Sequence, residues 1–164
     1  MAALVARRGC DVCLMHMLGE PRTMQRDPRY GDVVADVRAF LAARLAFAVE
    51  AGIARERVWL DPGIGFGKTI DHNLELLARL DEIVALGRPV VVGTSRKSFL
   101  GTIAGRPDVG DRIPGTIATN VLALARGASV FRVHDVQPAH DALLVAAATL
   151  RGRWGPTTTS KTTI

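Results

Sequence analysis

The sequence predicts an α/β fold of about four βα units, the pattern of half an eight-stranded (β/α) barrel of TIM type. Three observations point there. Short apolar runs alternate with longer amphipathic ones, as parallel strands alternate with their covering helices. The 164 residues fall well short of the ~250 that a complete barrel takes. Every strand-like run also ends in side chains that carry chemistry: Met15-His16-Met17, Asp61, Ser95-Arg96-Lys97, and Arg132 with His134-Asp135. Functional groups gathered from many strand ends mark a barrel rim. A doubly wound sheet, the competing architecture, concentrates its site at one switch point.

Each element has its own signal. Residues 11–17, DVCLMHM, read as the first strand, and a polar loop follows over 18–32. Residues 32–53 read as a long amphipathic helix, with Val33, Val37, Phe40, Leu41, Leu45 and Val49 near helical spacing. RVWLDPG (57–63) is the second strand. The second helix spans 71–87, with Asp71 as a candidate N-cap and Gly87 as its stop. RPVVVGTS (88–95) is a fully apolar third strand of the kind buried on both faces. A Gly/Asp/Pro-rich loop leads to a helix over 115–128, then a fourth strand, SVFRVHDV (129–136). The last helix covers 138–152, Pro138 fitting its first turn. Residues 1–152 thus form one domain, and 153–164 read as a disordered tail.

Composition excludes several classes. Apolar residues make up 48%, which rules out a disordered chain. Net charge is +5, but the arginines are spread among Asp and Glu without a basic block. Anionic small molecules explain that excess as well as nucleic acid does, and no nucleic-acid partner is expected. No run approaches the ~18 apolar residues of a membrane span, and the opening MAALVARRGCD is too short for a signal peptide. A cytoplasmic location follows by default. The two cysteines, Cys10 and Cys13, form a lone C-x-x-C without the second pair that a structural zinc needs. They read as buried strand cysteines, and no protein metal ligands are expected.

The stretch DPGIGFGKT, 61–69, tests as a phosphate loop and fails. Gly67-Lys68-Thr69 supplies the ending of a P-loop, but Pro62 stands where the first glycine belongs and has no N–H to give. The dinucleotide pattern fails too, because Lys68 occupies the place of its third glycine.

Taken in order, LMHMLGEPRTMQ, LDPGIGFGKTIDHN, VGTSRKSFLG, GTIATNVLALARGA and FRVHDV resemble the successive signatures of dihydropteroate synthase. The resemblance runs from about Cys13 to the last helix and corresponds to the second half of that family's pattern, strands five to eight. It implies a (β/α)₈ barrel of folate biosynthesis, a transferase and the sulfonamide target. The family joins 4-aminobenzoate to 6-hydroxymethyl-7,8-dihydropterin diphosphate and releases pyrophosphate. It further implies Mg²⁺ carried through the substrate diphosphate and a homodimer of the full-length enzyme. The family's first half would bring an Asn for Mg²⁺ and pyrophosphate and two mobile loops over aminobenzoate, so the 164-residue chain alone is expected to be inactive.

The resemblance gives catalytic roles to Asp61, Lys97 and Arg132. Asp61 would accept two hydrogen bonds from the amide and amino edge of the pterin, which suits a carboxylate; a turn cap is the plainer alternative. Gly63, Gly65 and Gly67 then allow a side-chain-free turn beside a flat ring, with Phe66 as an apolar wall. Lys97 would donate to the pterin carbonyl and ring nitrogen, with Gly93 also contacting substrate. Ser95 matches the serine near the aminobenzoate carboxylate, or is simply a turn serine. Arg132 would stack on the pterin and face the diphosphate, and His134, on the same strand face, would be a second anion ligand or a core histidine. Met15 would make a soft contact with the ring or pack as core. Two other functions remain open: a methyl-folate carrier for a corrinoid methyltransferase, and a non-catalytic, self-associating half-barrel.

Overall fold

The computed structural model describes residues 1–155; all but the first three residues of the expected tail lie outside them. Four parallel strands form the sheet. β1 (Val12–Met15) pairs with β2 (Val58–Asp61), placing Met15 opposite Asp61. β3 (Val91–Val92) pairs with β4 (Val130–Phe131), and a bridge between Leu60 and Val90 joins the two pairs. The order is β1-β2-β3-β4, each new strand being added on the same side, without the reversal of a doubly wound sheet. No closed barrel is formed among the described residues. β3 and β4 are shorter than their apolar runs, because only two residues of each face a partner in regular register.

Helices cover one face. α1 (Ala2–Arg8), unanticipated in the sequence, closes on Gly9 in the left-handed region. α2 (Val33–Glu50) starts at Asp32, whose carboxylate accepts from the Val34 and Ala35 amides. Its buried stripe is Val33, Val37, Leu41, Leu45 and Ala48; Phe40 and Val49 sit about 100° off that stripe and are exposed. The helix expected over 71–87 is two, α3 (Ile70–Ala78) and α4 (Asp81–Val84). The break follows Arg79, whose guanidinium gathers Asp32, Glu75 and Glu82. The N-cap of α3 is Thr69, not Asp71. Thr69 and His72 bond reciprocally in a capping box, leaving Asp71 in the first turn where it suits the helix dipole. Gly87, at φ 73°, does end the run.

α5 (Ser98–Ala104) occupies the start of the stretch read as a loop. α6 (Ile113–Ala125) and α7 (Val136–Arg151) pack against each other, with Pro138 in the first turn of α7 as expected. The core lies between the sheet and the helices. Val58, Leu60, Val90 and Val92 meet Leu41, Leu76, Leu80 and Ile83, all essentially solvent-free. The opposite face of the sheet is open. Cys13 and Met15 therefore stand exposed, which corrects the expectation of buried cysteines: in β1 they alternate away from the helices. No helix among the described residues is long and apolar enough to cross a membrane.

Candidate active site

The site grows from the C-terminal ends of the strands. Beyond β2 the chain enters the glycine loop, where three amides are already engaged. The Asp61 carboxylate accepts from the Gly63 N–H at 2.7 Å, Asn73 Oδ1 accepts from Gly65 at 2.6 Å, and Phe66 donates to the Gly63 carbonyl at 3.0 Å. Its carbonyls are hooked as well: Gly65 by Gln25, Phe66 by Lys68 and Gly67 by Tyr30. The N–H groups of Gly63, Gly65 and Phe66 are thus spent inside the protein and are not open to a phosphate.

Glycine is required at two of these positions. At Gly63 (φ 68°) an added Cβ would land on the His16 carbonyl oxygen, and at Gly67 (φ 62°) it would strike the Leu18 backbone. The loop is thereby pressed against the segment that follows β1. Lys68 completes the contact. It is 3% exposed and donates to His16 Nδ1 at 2.9 Å, with His16 itself 5% exposed. Burial first, then the Lys68 charge, lowers the His16 pKa to about 4, so the ring is neutral and accepts from the ammonium. Burial likewise lowers Lys68 to about 8, against the pull of Asp61.

Phe66, Gly93, Ser95, Lys97, Arg132 and His134 line one cleft of about 260 Å³ at the ends of β3 and β4. Lys97 Nζ sits 3.9 Å from the centroid of the Phe66 ring, a cation–π contact. Gly93 makes room for Arg132: a Cβ there would come within 2.9 Å of the guanidinium. Asp61 lies beside the cleft and is 5% exposed. Burial raises its pKa, opposed by the Gly63 amide and by Arg132, Lys97 and Lys68. One of its oxygens caps the turn, and the other has no hydrogen bond among the described residues. Lys97 is pushed down by burial and then by Arg132. Three cations around one carboxylate make this an anion-attracting site.

Met15 is across from Asp61 in the ladder, one strand removed from the cleft. Ser95 has a protein partner the sequence did not reveal. It lines the cleft, but its hydroxyl is committed to His134, accepting from the His134 backbone N–H at 3.0 Å and lying 2.9 Å from Nδ1. The sequence reading passed over Lys68, Gln25, Tyr30 and Asn73, which with His16 set the loop. It placed His16 and Arg96 among the strand-end groups but gave them no role; Arg96 is held at φ 57° with its amide on Thr116 and its guanidinium on Asp135. The scarcity of lysine was the one signal that pointed at Lys68.

A second cavity of about 350 Å³ adjoins the first through Lys97 and is lined by Gln25, Lys68, Asn73 and Ser98. A larger hollow, about 620 Å³, is an apolar groove between α6 and α7 with none of these groups lining it. We assign the chemistry to the strand-end cleft, where the convergent polar groups are.

A family model described as pterin binding enzyme matches residues 1–134. The chain belongs to the pterin-binding enzyme family. Within it, the chain is 47% identical over 142 residues to the dihydropteroate synthase of Neisseria meningitidis serogroup C, covering 85% of this chain and 50% of that one. Among solved structures, the Yersinia pestis dihydropteroate synthase with a sulfonamide drug complex superposes with a TM-score of 0.89 at 40% identity, over 93% of this chain and 55% of that one. The Thermus thermophilus dihydropteroate synthase in complex with 4-aminobenzoate gives 0.86 at 48% identity, over 91% and 60%. The chain spans about half the length of the curated relatives it matches.

Proposed function

We propose that this pterin-binding chain is the second half of a (β/α)₈ barrel acting in dihydropteroate synthesis, residues 1–152 forming that unit. The observation that carries the reading is the cleft at the ends of β3 and β4: Lys97 over Phe66, Arg132 against Gly93, and Asp61 buried beside them. A flat heterocycle with an amide and amino edge and an anionic leaving group matches that set. The free oxygen of Asp61 accepts from the pterin edge. Lys97 donates to its carbonyl and ring nitrogen, and Met15 lies against the ring.

Arg132 and His134 hold the diphosphate. The bond between the pterin methylene and the diphosphate oxygen breaks, and its electron pair leaves with pyrophosphate. The amine nitrogen of 4-aminobenzoate attacks the methylene, forms the new C–N bond and loses its proton. An aromatic amine is already nucleophilic, so the protein needs to orient the ring and neutralise the leaving group. Neither task calls for a strong base.

Asp61 is ringed by cations, and no three His, Cys, Asp or Glu side chains converge among the described residues, so Mg²⁺ would come with the substrate diphosphate and not be held by these side chains; no step is routed through it. Support for a homodimer comes from the apolar groove between α6 and α7, and a cytoplasmic, sulfonamide-sensitive enzyme completes the reading. The methyl-folate carrier and the non-catalytic module are not favoured, since the matched relatives are dihydropteroate synthases.

The test is calorimetric, with 6-hydroxymethylpterin diphosphate titrated against methyl-tetrahydrofolate as control. Asp61→Asn removes the charge-assisted acceptor and is expected to weaken binding of the pterin diphosphate by about 1.5–3 kcal/mol. Unchanged affinity sinks the role of Asp61, and tighter binding of the methyl-folate sinks the reaction class.

A further inference from the structure

The turns after β3 and β4 are clasped by two neighbouring pairs. Ser95 meets His134, and Arg96 meets Asp135. Arg96 is secured at every handle: its amide on the Thr116 hydroxyl at 3.0 Å, its carbonyl on Arg112 at 3.0 Å, and its guanidinium on Asp135 through two bonds. It is also the one described non-glycine residue at positive φ, so the surrounding contacts hold a conformation that its own backbone disfavours. This second pair fixes the separation of the first.

We propose that Ser95 is a positioning residue that sets the tautomer of His134, presenting Nε2–H to the leaving anion. The proton count gives the direction. A serine hydroxyl has one proton to donate and lone pairs to accept with. Ser95 Oγ accepts from the His134 backbone N–H, which cannot act otherwise. Its remaining contact is His134 Nδ1 at 2.9 Å, the one acceptor within reach of its proton among the described residues. Donation to Nδ1 makes that nitrogen the acceptor and leaves the ring proton on Nε2. Nε2 has no protein partner among the described residues, and the ring lines the cleft beside Arg132. A phosphate oxygen accepts and never donates when ionised, so an Nε2–H donor is the matching form. His134 then serves the anion without itself carrying charge, with Arg132 supplying the charge.

This rests on the proposed function in naming pyrophosphate as the anion, but the tautomer is measured independently of it. The experiment is long-range ¹H–¹⁵N NMR on residues 1–164 labelled at histidine, at pH 8, with the His134 signals assigned by their loss in His134→Gln. The expected pattern is a neutral ring protonated at Nε2. Ser95→Ala is expected to lose that preference and to weaken inorganic pyrophosphate binding roughly three- to tenfold, the worth of about one hydrogen bond. Ser95→Thr, which keeps the hydroxyl, is expected to restore both. An Nδ1–H ring or an imidazolium in the wild type overturns the proposal, as does an unchanged tautomer in Ser95→Ala. Should Ser95→Ala fail to fold, the wild-type ring and Ser95→Thr still decide. The right tautomer with no pyrophosphate binding in the wild type would overturn the anion role, and with it that part of the proposed function, while leaving Ser95 as the group that sets the ring.

Discussion

At the scale of single residues, the buried pair Lys68–His16 has a consequence for stability against pH. His16 titrates at about 4 in the fold against an ordinary 6.5, so between those values the unfolded chain binds a proton that the native chain does not. Stability therefore rises with pH through that window and is lost on acidification from 6.5 toward 4, by roughly 3 kcal/mol for this group. Urea unfolding at pH 7 and pH 4.5 checks it: His16→Gln should lose less stability between the two than the wild type does. An equal loss would assign the acid sensitivity elsewhere. Legibility at this scale was mixed. Asp61, Lys97 and Arg132 stood out as candidates because charged groups at the ends of apolar strands have few structural uses. His16 and Lys68 did not, since their meaning depends on a contact between residues 52 apart in sequence.

At the scale of elements, the four strands and their helices could be read from periodicity, and the finer joints could not. The 71–87 run looks continuous because its apolar spacing barely falters. At the break Arg79 bonds Glu75 and Glu82 beside it and reaches Asp32 across the fold, and that last, tertiary contact is one no local pattern encodes. α5 was lost in a loop because seven residues give too few turns for a period to show. The glycine loop yields a sharper expectation. Gly63→Ala adds a methyl against the His16 backbone in a left-handed conformation, and backbone cannot yield as a flexible side chain does. We expect a loss of at least about 2 kcal/mol, read from chemical denaturation. Gly105→Ala, also at positive φ but with open space around it, should cost about 1 kcal/mol. Equal effects would mean that strain in the turn, and not its docking on β1, fixes the loop.

At the scale of the whole molecule, the α/β class follows from alternation alone, but sidedness does not. The sequence cannot say that one face of the sheet lacks cover, and the exposure of Cys13 and Met15 shows it. Among the described residues β1 and β4 each present an edge without a partner strand, and such edges recruit other chains. Residues 1–164 are expected to elute in size exclusion well above their 17.6 kDa. Val145→Glu, in the groove between α6 and α7, should dissociate only the species held through that groove. A sharp monomer peak for the wild type would show that neither the edges nor the groove draws a second copy.

The engaged amides of the glycine loop bear on timescale as well as on ligand choice. The loop N–H groups that are bonded inside the protein should exchange with deuterated water slowly, more as a helix's do than a surface turn's. The amides of Gly63, Gly65 and Phe66 would then outlast those of the 18–32 segment near which they lie. A ligand arriving at the cleft would meet a floor already set, with little ordering left to oppose its binding.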